Sequence, residues 1–142
     1  LSPVLDMNTN EIISYDLSMS PNLDQIARML NKAFEKFPSV EGLIFHSDQG
    51  WQYQHKKYQH MIRRKGIRQS MSRKGNCLDN AVMENFFGLL KSELLYLQKF
   101  DSLEHFKQEL VDYLDYYNNR RIKIKLKGLP PALHRQQALS VA

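Results

Sequence analysis

The chain has 142 residues, 42% of them hydrophobic and 25% charged, with a net charge of +5. That balance excludes a disordered polyelectrolyte, and a chain this long can bury roughly two-thirds of its unfolded surface around one core. The single cysteine, Cys77, excludes an internal disulfide and fits a reducing compartment. No apolar run approaches the roughly 18 residues that span a bilayer, and the start Leu1-Ser2-Pro3-Val4 lacks the layout of a signal peptide. The expectation is a soluble, cytoplasmic protein with no membrane partner.

Charge is sorted along the chain. Between Gln49 and Leu78 stand Lys56, Lys57, Arg63, Arg64, Lys65, Arg68, Arg73 and Lys74 with no acid, and after Tyr116 stand Arg120, Arg121, Lys123, Lys125, Lys127 and Arg135, again with none. The remainder is net acidic. Basic blocks beside Trp51, Tyr53 and Tyr58 suggest a polyanion partner, and the plainer reading is a solvated basic face.

In chain order, residues 3–7 and 11–18 read as two strands around the turn-prone Asn8-Thr9-Asn10, an antiparallel hairpin. Ser20 and Pro21 then announce a helix, with Ser20 and Asp24 forming a capping box. Its apolar residues Leu23, Ile26, Ala27, Leu30, Ala33, Phe34 and Phe37 recur at helical spacing, and Pro38 stops it. Gly42–His46 is a short apolar run that fits a buried parallel strand. A helix over about 55–65 ends at Gly66, Ile67–Met71 reads as a further strand, and Ser72–Asn76 is a polar loop. A longer helix runs from Asp79 or Asn80, with Asp79 as its cap, to about Leu97. Asp101-Ser102-Leu103-Glu104 opens another, striped by Leu103, Phe106, Leu110, Tyr113, Leu114 and Tyr117. The tail after Asn118 is basic, with Pro130-Pro131 opening a short helix. This order predicts an α/β domain with a mixed sheet flanked by helices. Residues 1–118 form the core and 119–142 the basic tail.

Two acids stand out by position. Asp48 follows the buried run, at the carboxyl end of a parallel strand, where open α/β sheets place ligands. Glu84 lies in the first turns of the long helix, and Lys91, seven residues later, falls on much the same face. Each has a bland reading: Asp before Gln-Gly is a turn former, and an early helical Glu favours the helix dipole. His46 reads as a packed or hydrogen-bonded histidine. His55 and His60 lack the spacing with which one helix face grips zinc.

Taken together, the pieces form a series. Asp48, within His46-Ser47-Asp48-Gln49-Gly50, is followed after 35 intervening residues by Glu84 within Gly75–Leu94, and then by Tyr116-Tyr117-Asn118-Asn119-Arg120-Arg121 and Leu129-Pro130-Pro131. Over nearly the whole chain this resembles the integrase core of OrfB-type insertion-sequence transposases, relatives of retroviral integrases. The resemblance implies a ribonuclease-H-like fold and an Asp, Asp, Glu triad in which Asp48 is the second member and Glu84 the third. It implies two divalent ions, normally Mg2+ with Mn2+ an alternative, because hard cations prefer carboxylate oxygens. Two ions about 3.5–4 Å apart serve attacking and leaving oxygens in a displacement at phosphorus. The implied activity is DNA cleavage and strand transfer in a bacterial, nucleoid-associated setting. Lys91, Arg73, Lys74, Gln49 and Ser72 would contact DNA. The implied partners are insertion-sequence ends, target DNA, further copies of the chain and a separate or missing helix-turn-helix part.

The same resemblance places the first Asp on a strand upstream of Leu1, so the sheet is expected to lack its first, central strand and the site its first acid. Asp6 and Asp16 match hairpin positions instead. Two other readings stay open: a catalytically inactive DNA-binding or oligomerisation remnant, and a ribonuclease-H-like nuclease.

Overall fold

Strand β1 (Ser2–Leu5) and strand β2 (Ile12–Asp16) are hydrogen-bonded neighbours in a computed structural model that describes residues 1–73 and 80–141. The connection Asp6–Glu11 is too short for the crossover that parallel strands need, so the pair is the expected hairpin. Its strands are shorter than the sequence suggests, because Asp6 turns the chain: its Oδ1 accepts from Asn8 N at 2.8 Å and its carbonyl accepts from Asn10 N at 2.7 Å. Asn10 takes φ 63°, the left-handed conformation that Asn tolerates.

The chain forms two compact units, Leu1–Val4 with Ile13–Ala81, and Leu5–Ile12 with Val82–Ala142. In the first, helix α1 (Leu23–Lys36) buries Ile26, Met29, Leu30, Ala33 and Phe34, the stripe legible in the sequence. The cap differs from the one expected. Asn22, not Ser20, accepts from Gln25 N, at 2.8 Å; Ser20 instead accepts at its carbonyl from the Ser18 hydroxyl. Helix α2 (Trp51–Gln54) leads into α3 (Lys56–Arg64), which adds Tyr58 and Ile62 to that core, and Ile67 completes it. Gly66, at φ 73°, ends α3 where a Cβ would meet the Glu41 side chain at 2.8 Å.

Strand β3 (Ile44–Ser47) runs parallel to β4 (Arg68–Met71), with Ile44 opposite Arg68 and Ser47 opposite Met71. Parallel pairing was expected from the sequence; full burial is corrected, since Leu43 and Ile44 are 48% and 56% exposed. Among the described residues β3 has one strand neighbour, so only Phe45 reaches the core from this run.

In the second unit, α4 (Ala81–Leu90) passes into a π-helical turn (Lys91–Leu95), closed by Tyr96 N donating to the Lys91 carbonyl at 2.9 Å. The sequence predicted unbroken α-helix here. Helix α5 (Leu103–Asn119) is capped by Ser102, whose hydroxyl accepts from His105 N, and buries Leu110, Tyr113, Leu114 and Tyr117. Phe86 of α4 meets Tyr117 edge-on at 5.1 Å. Helix α6 (Pro131–Val141) starts at the second proline, where the missing N–H costs nothing. No described helix is long and apolar enough to cross a membrane.

Candidate active site

The end of β3 builds the first part of the site. The chain leaves the strand at Asp48, and Asp48 Oδ1 accepts a 2.7 Å bond from Gly50 N. A Cβ at position 50 would sit 2.9 Å from that same oxygen and 3.0 Å from Gln52 Oε1, so a side chain there would have to shift those two groups. The Asp48 side chain is therefore held by one oxygen while exposed to solvent. Its Oδ2 has no hydrogen-bond or ion-pair partner among the described residues. Burial pushes the Tyr53 hydroxyl above its ordinary value, and the nearby Asp48 charge pushes it further.

Behind Asp48, His46 bridges two hydroxyls: Nδ1 lies 2.9 Å from Ser70 Oγ and Nε2 3.0 Å from Ser72 Oγ. The Ser72 hydroxyl also donates to the Ser47 carbonyl at 3.3 Å, and the Ser72 carbonyl accepts from Gln49 Nε2 at 3.0 Å. These bonds tie the ends of β3 and β4 together and fix the loop that carries Asp48. Ser72 is buried, so its side chain serves this positioning inside the fold, whereas Gln49 and Arg73 are exposed. Lys74 and the expected cap Asp79 lie outside the described residues.

In the second unit, Glu84 is exposed on α4 two residues before the buried Phe86, which anchors that helix. The helix stays α-helical to Leu90, so Glu84 and the exposed Lys91 share one side of it, about 10 Å apart along the axis. The π-helical turn that opens at Lys91 carries a partly buried ion pair. Glu93 is gripped by Arg121, with Nε 2.7 Å from Oε1 and Nη2 2.8 Å from Oε2, while the Tyr113 hydroxyl donates to Oε1 at 3.0 Å. The Arg121 bonds hold the Glu93 carboxyl below the ordinary range despite its burial. The Tyr113 hydroxyl is pushed far up, first by burial and then by the Glu93 charge. Sequence reasoning missed this trio, although Glu93 and Arg121 both stand in the motifs it quoted; a half-buried acid inside an apolar helix asks for a cation.

The two hairpin acids are occupied. Asp16 is buried and takes Arg28 in a two-pronged pair (Nη2 2.9 Å from Oδ2) with Lys32 Nζ at 3.3 Å. Asp6 takes Arg135 Nη1 at 2.8 Å. Both carboxylates are paired with arginine. Asp48, Gln49, Ser72 and Arg73 thus gather around the end of the β3–β4 pair, while Glu84 lies on α4 and Lys91 opens the π-helical turn that follows it. Among the described residues no three of His, Cys, Asp and Glu cluster closely enough to hold a metal ion.

The comparisons with known proteins agree with this architecture. Residues 1–77 and 84–139 each match a family described as "Integrase core domain". The chain is 53% identical, over 96% of its length, to the InsK protein of insertion sequence element IS150 in Escherichia coli strain K12, whose name describes a transposase. It is 38% identical, over 83% of its length, to the transposase for insertion sequence element IS904 of Lactococcus lactis. It spans 48% and 47% of these two relatives, about half of each. In fold it is similar to the catalytic core domain of BIV integrase, with a TM-score of 0.67 at 18% identity, covering 96% of this chain and 85% of that one. That likeness shows the ribonuclease-H-like α/β fold. The chain belongs to the integrase core domain family.

Proposed function

We propose that this chain is the catalytic core of an insertion-sequence transposase that cuts and joins DNA, with Asp48 and Glu84 as two of its three catalytic carboxylates. The observation that carries the reading is Asp48 itself. A carboxylate at the carboxyl end of a parallel strand pair is held by one oxygen, exposed and otherwise unpartnered among the described residues, in a chain of the integrase core family. Other acids in comparable surroundings, Asp16 and Glu93, are consumed by arginines.

The donor set fits a hard divalent cation such as Mg2+. Asp48 and Glu84 offer carboxylate oxygens with no ion-pair partner among the described residues. When bound there, Mg2+ or Mn2+ supplies positive charge for in-line displacement at phosphorus. The chain's own residues do the rest. Asp48 and Glu84 hold the negative charge that recruits cations. Lys91 meets a phosphate of the DNA end, and Arg73 and Gln49, beside Asp48, contact DNA together with Lys74. Ser72 acts as a positioning residue through His46. As the bond from the attacking oxygen to phosphorus forms, the bond to the leaving oxygen breaks, so no covalent link to the protein is needed.

On this reading residues 1–118 are the catalytic core and 119–142 a basic tail. The partners are insertion-sequence ends, target DNA, further copies of the chain and a helix-turn-helix part that recognises the ends. The test is strand transfer by the full-length gene product on end-sequence DNA with magnesium, beside Asp48→Asn and Glu84→Gln. Loss of joining in both, with DNA binding kept, supports the proposal; cleavage of RNA–DNA hybrids in preference to DNA ends would favour the nuclease reading.

A further inference from the structure

The acid-free tail looks uniformly basic in sequence, but the fold divides its cations into two groups. Each arginine has a carboxylate from elsewhere: Arg121 takes Glu93, Arg135 takes Asp6, and Arg120 lies 3.9 Å from Asp115. The planar guanidinium suits such pairing. The lysines are left over. Lys123 rests its ammonium 4.9 Å from the Tyr117 ring, and Lys125 and Lys127 are exposed with no side-chain partner among the described residues.

These three lysines alternate along one tight loop. Lys123 N donates to the Leu129 carbonyl, while Leu126 N and Gly128 N both donate to the Lys123 carbonyl at 3.0 Å. Lys127 and Gly128 both take left-handed φ, 59° and 73°, and the buried Leu126 anchors the loop inward. At the outer tip sits Ile124, 96% exposed, with Ile122 also exposed at 65%. A single exposed aliphatic residue is ordinary. An aliphatic tip on a hydrogen-bonded turn, ringed by unpaired lysines, is a combination that the packing of this chain does not require.

We propose that the loop Ile122–Leu129 is a DNA-deforming contact in which Ile124 wedges against a base step of duplex DNA while Lys125 and Lys127 hold the flanking phosphates. Apolar wedges of this kind enter the minor groove and unstack a step, and lysines beside them supply the charge that phosphates demand. The inference rests on the reading of the chain as a DNA transposase core, and it assigns a surface outside the residues grouped around Asp48 and Glu84.

The experiment compares the chain with Ile124→Ser, with the double variant Lys125→Ala/Lys127→Ala, and with Met19→Ser, which removes a similarly exposed apolar residue from the first unit. Each is titrated onto a short linear duplex carrying a dye pair that reports bending, across a range of salt. Ile124→Ser is expected to lose the bending signal and about tenfold in affinity, the scale of one aliphatic side chain left unburied, with the salt slope unchanged. The double lysine variant should reduce the slope by about two. Met19→Ser should match the parent. If the parent binds and both loop variants bend and bind like it, the loop assignment is wrong while the transposase reading stands. If the parent does not bind duplex at all, both fall. Ile124-dependent binding to acidic phospholipid vesicles without DNA bending would overturn the proposal in favour of a lipid surface.

Discussion

Asn118 holds both backbone groups of Ile12: its Oδ1 accepts from Ile12 N at 2.9 Å and its Nδ2 donates to the Ile12 carbonyl at 2.9 Å. One side chain near the end of α5 thereby supplies what a neighbouring strand would otherwise give. The adjacent Tyr117 hydroxyl donates to the Asn10 carbonyl at 2.8 Å, so two consecutive residues of one motif clasp the hairpin turn. Asn118→Ala strands an N–H and a carbonyl in a buried setting and is expected to cost about 2–3 kcal/mol. Denaturant unfolding measures it; a change under about 0.5 kcal/mol would show the clasp to be incidental.

Tyr58 fills the core of the first unit, yet its hydroxyl is buried with no partner among the described residues. Tyr58→Phe keeps the ring contacts with Tyr53 and Phe45 and removes the orphan group. The expected result is neutral to stabilising by about 1 kcal/mol, against a loss of about 2–5 kcal/mol for Leu30→Ala in the same core. Thermal melts of the two variants side by side decide the point.

Acid should loosen both units for the same reason. Burial raises the Asp16 carboxyl, but bonds and charge from Arg28 and Lys32 outweigh it and hold Asp16 below its ordinary 3.8. Arg121 does the same for Glu93 against its ordinary 4.5. A folded value below the unfolded one means stability fully present above the unfolded value and lost as pH falls through the folded one. The melting temperature should therefore drop on acidification below about pH 4, and drop less in Glu93→Gln, which has already lost its share.

If about six lysines and arginines meet phosphates, the logarithm of DNA affinity should fall against log salt with a slope of about −5. Filter binding or anisotropy at several salt concentrations reads the slope. A flat dependence would detach the basic blocks from the DNA interface.

Much of the fold was legible because its elements carry strong periodicity. The stripe Ile26, Leu30, Phe34 and the stripe Leu110, Tyr113, Leu114, Tyr117 could hardly face anywhere but a core. What failed to show depends on distant partners. Glu93, inside the π-helical turn, pairs with Arg121, 28 residues further along the chain. The exposure of Leu43 and Ile44 depends on which strands flank β3, and the burial of the loop residue Ser72 depends on its distant partner His46. The boundaries between units cut through β1, β2 and the start of α4, so no linker composition could mark them. Asp48 was legible because strand, acid and glycine turn follow one another directly; Glu84 was legible only through the motif series around it.

The substitution Asp48→Asn is informative because Asn can still accept the Gly50 N–H, so the loop is expected to survive within about 0.5 kcal/mol while the charge is gone.

The most direct measurement is the strand-transfer rate of the full-length protein with magnesium, at matched folded fraction, for the parent, Asp48→Asn and Glu84→Gln. The account predicts that each substitution lowers the rate by at least roughly a hundredfold while DNA affinity holds. A variant that joins DNA at close to the parental rate would remove its residue from the site and contradict the paired-carboxylate mechanism.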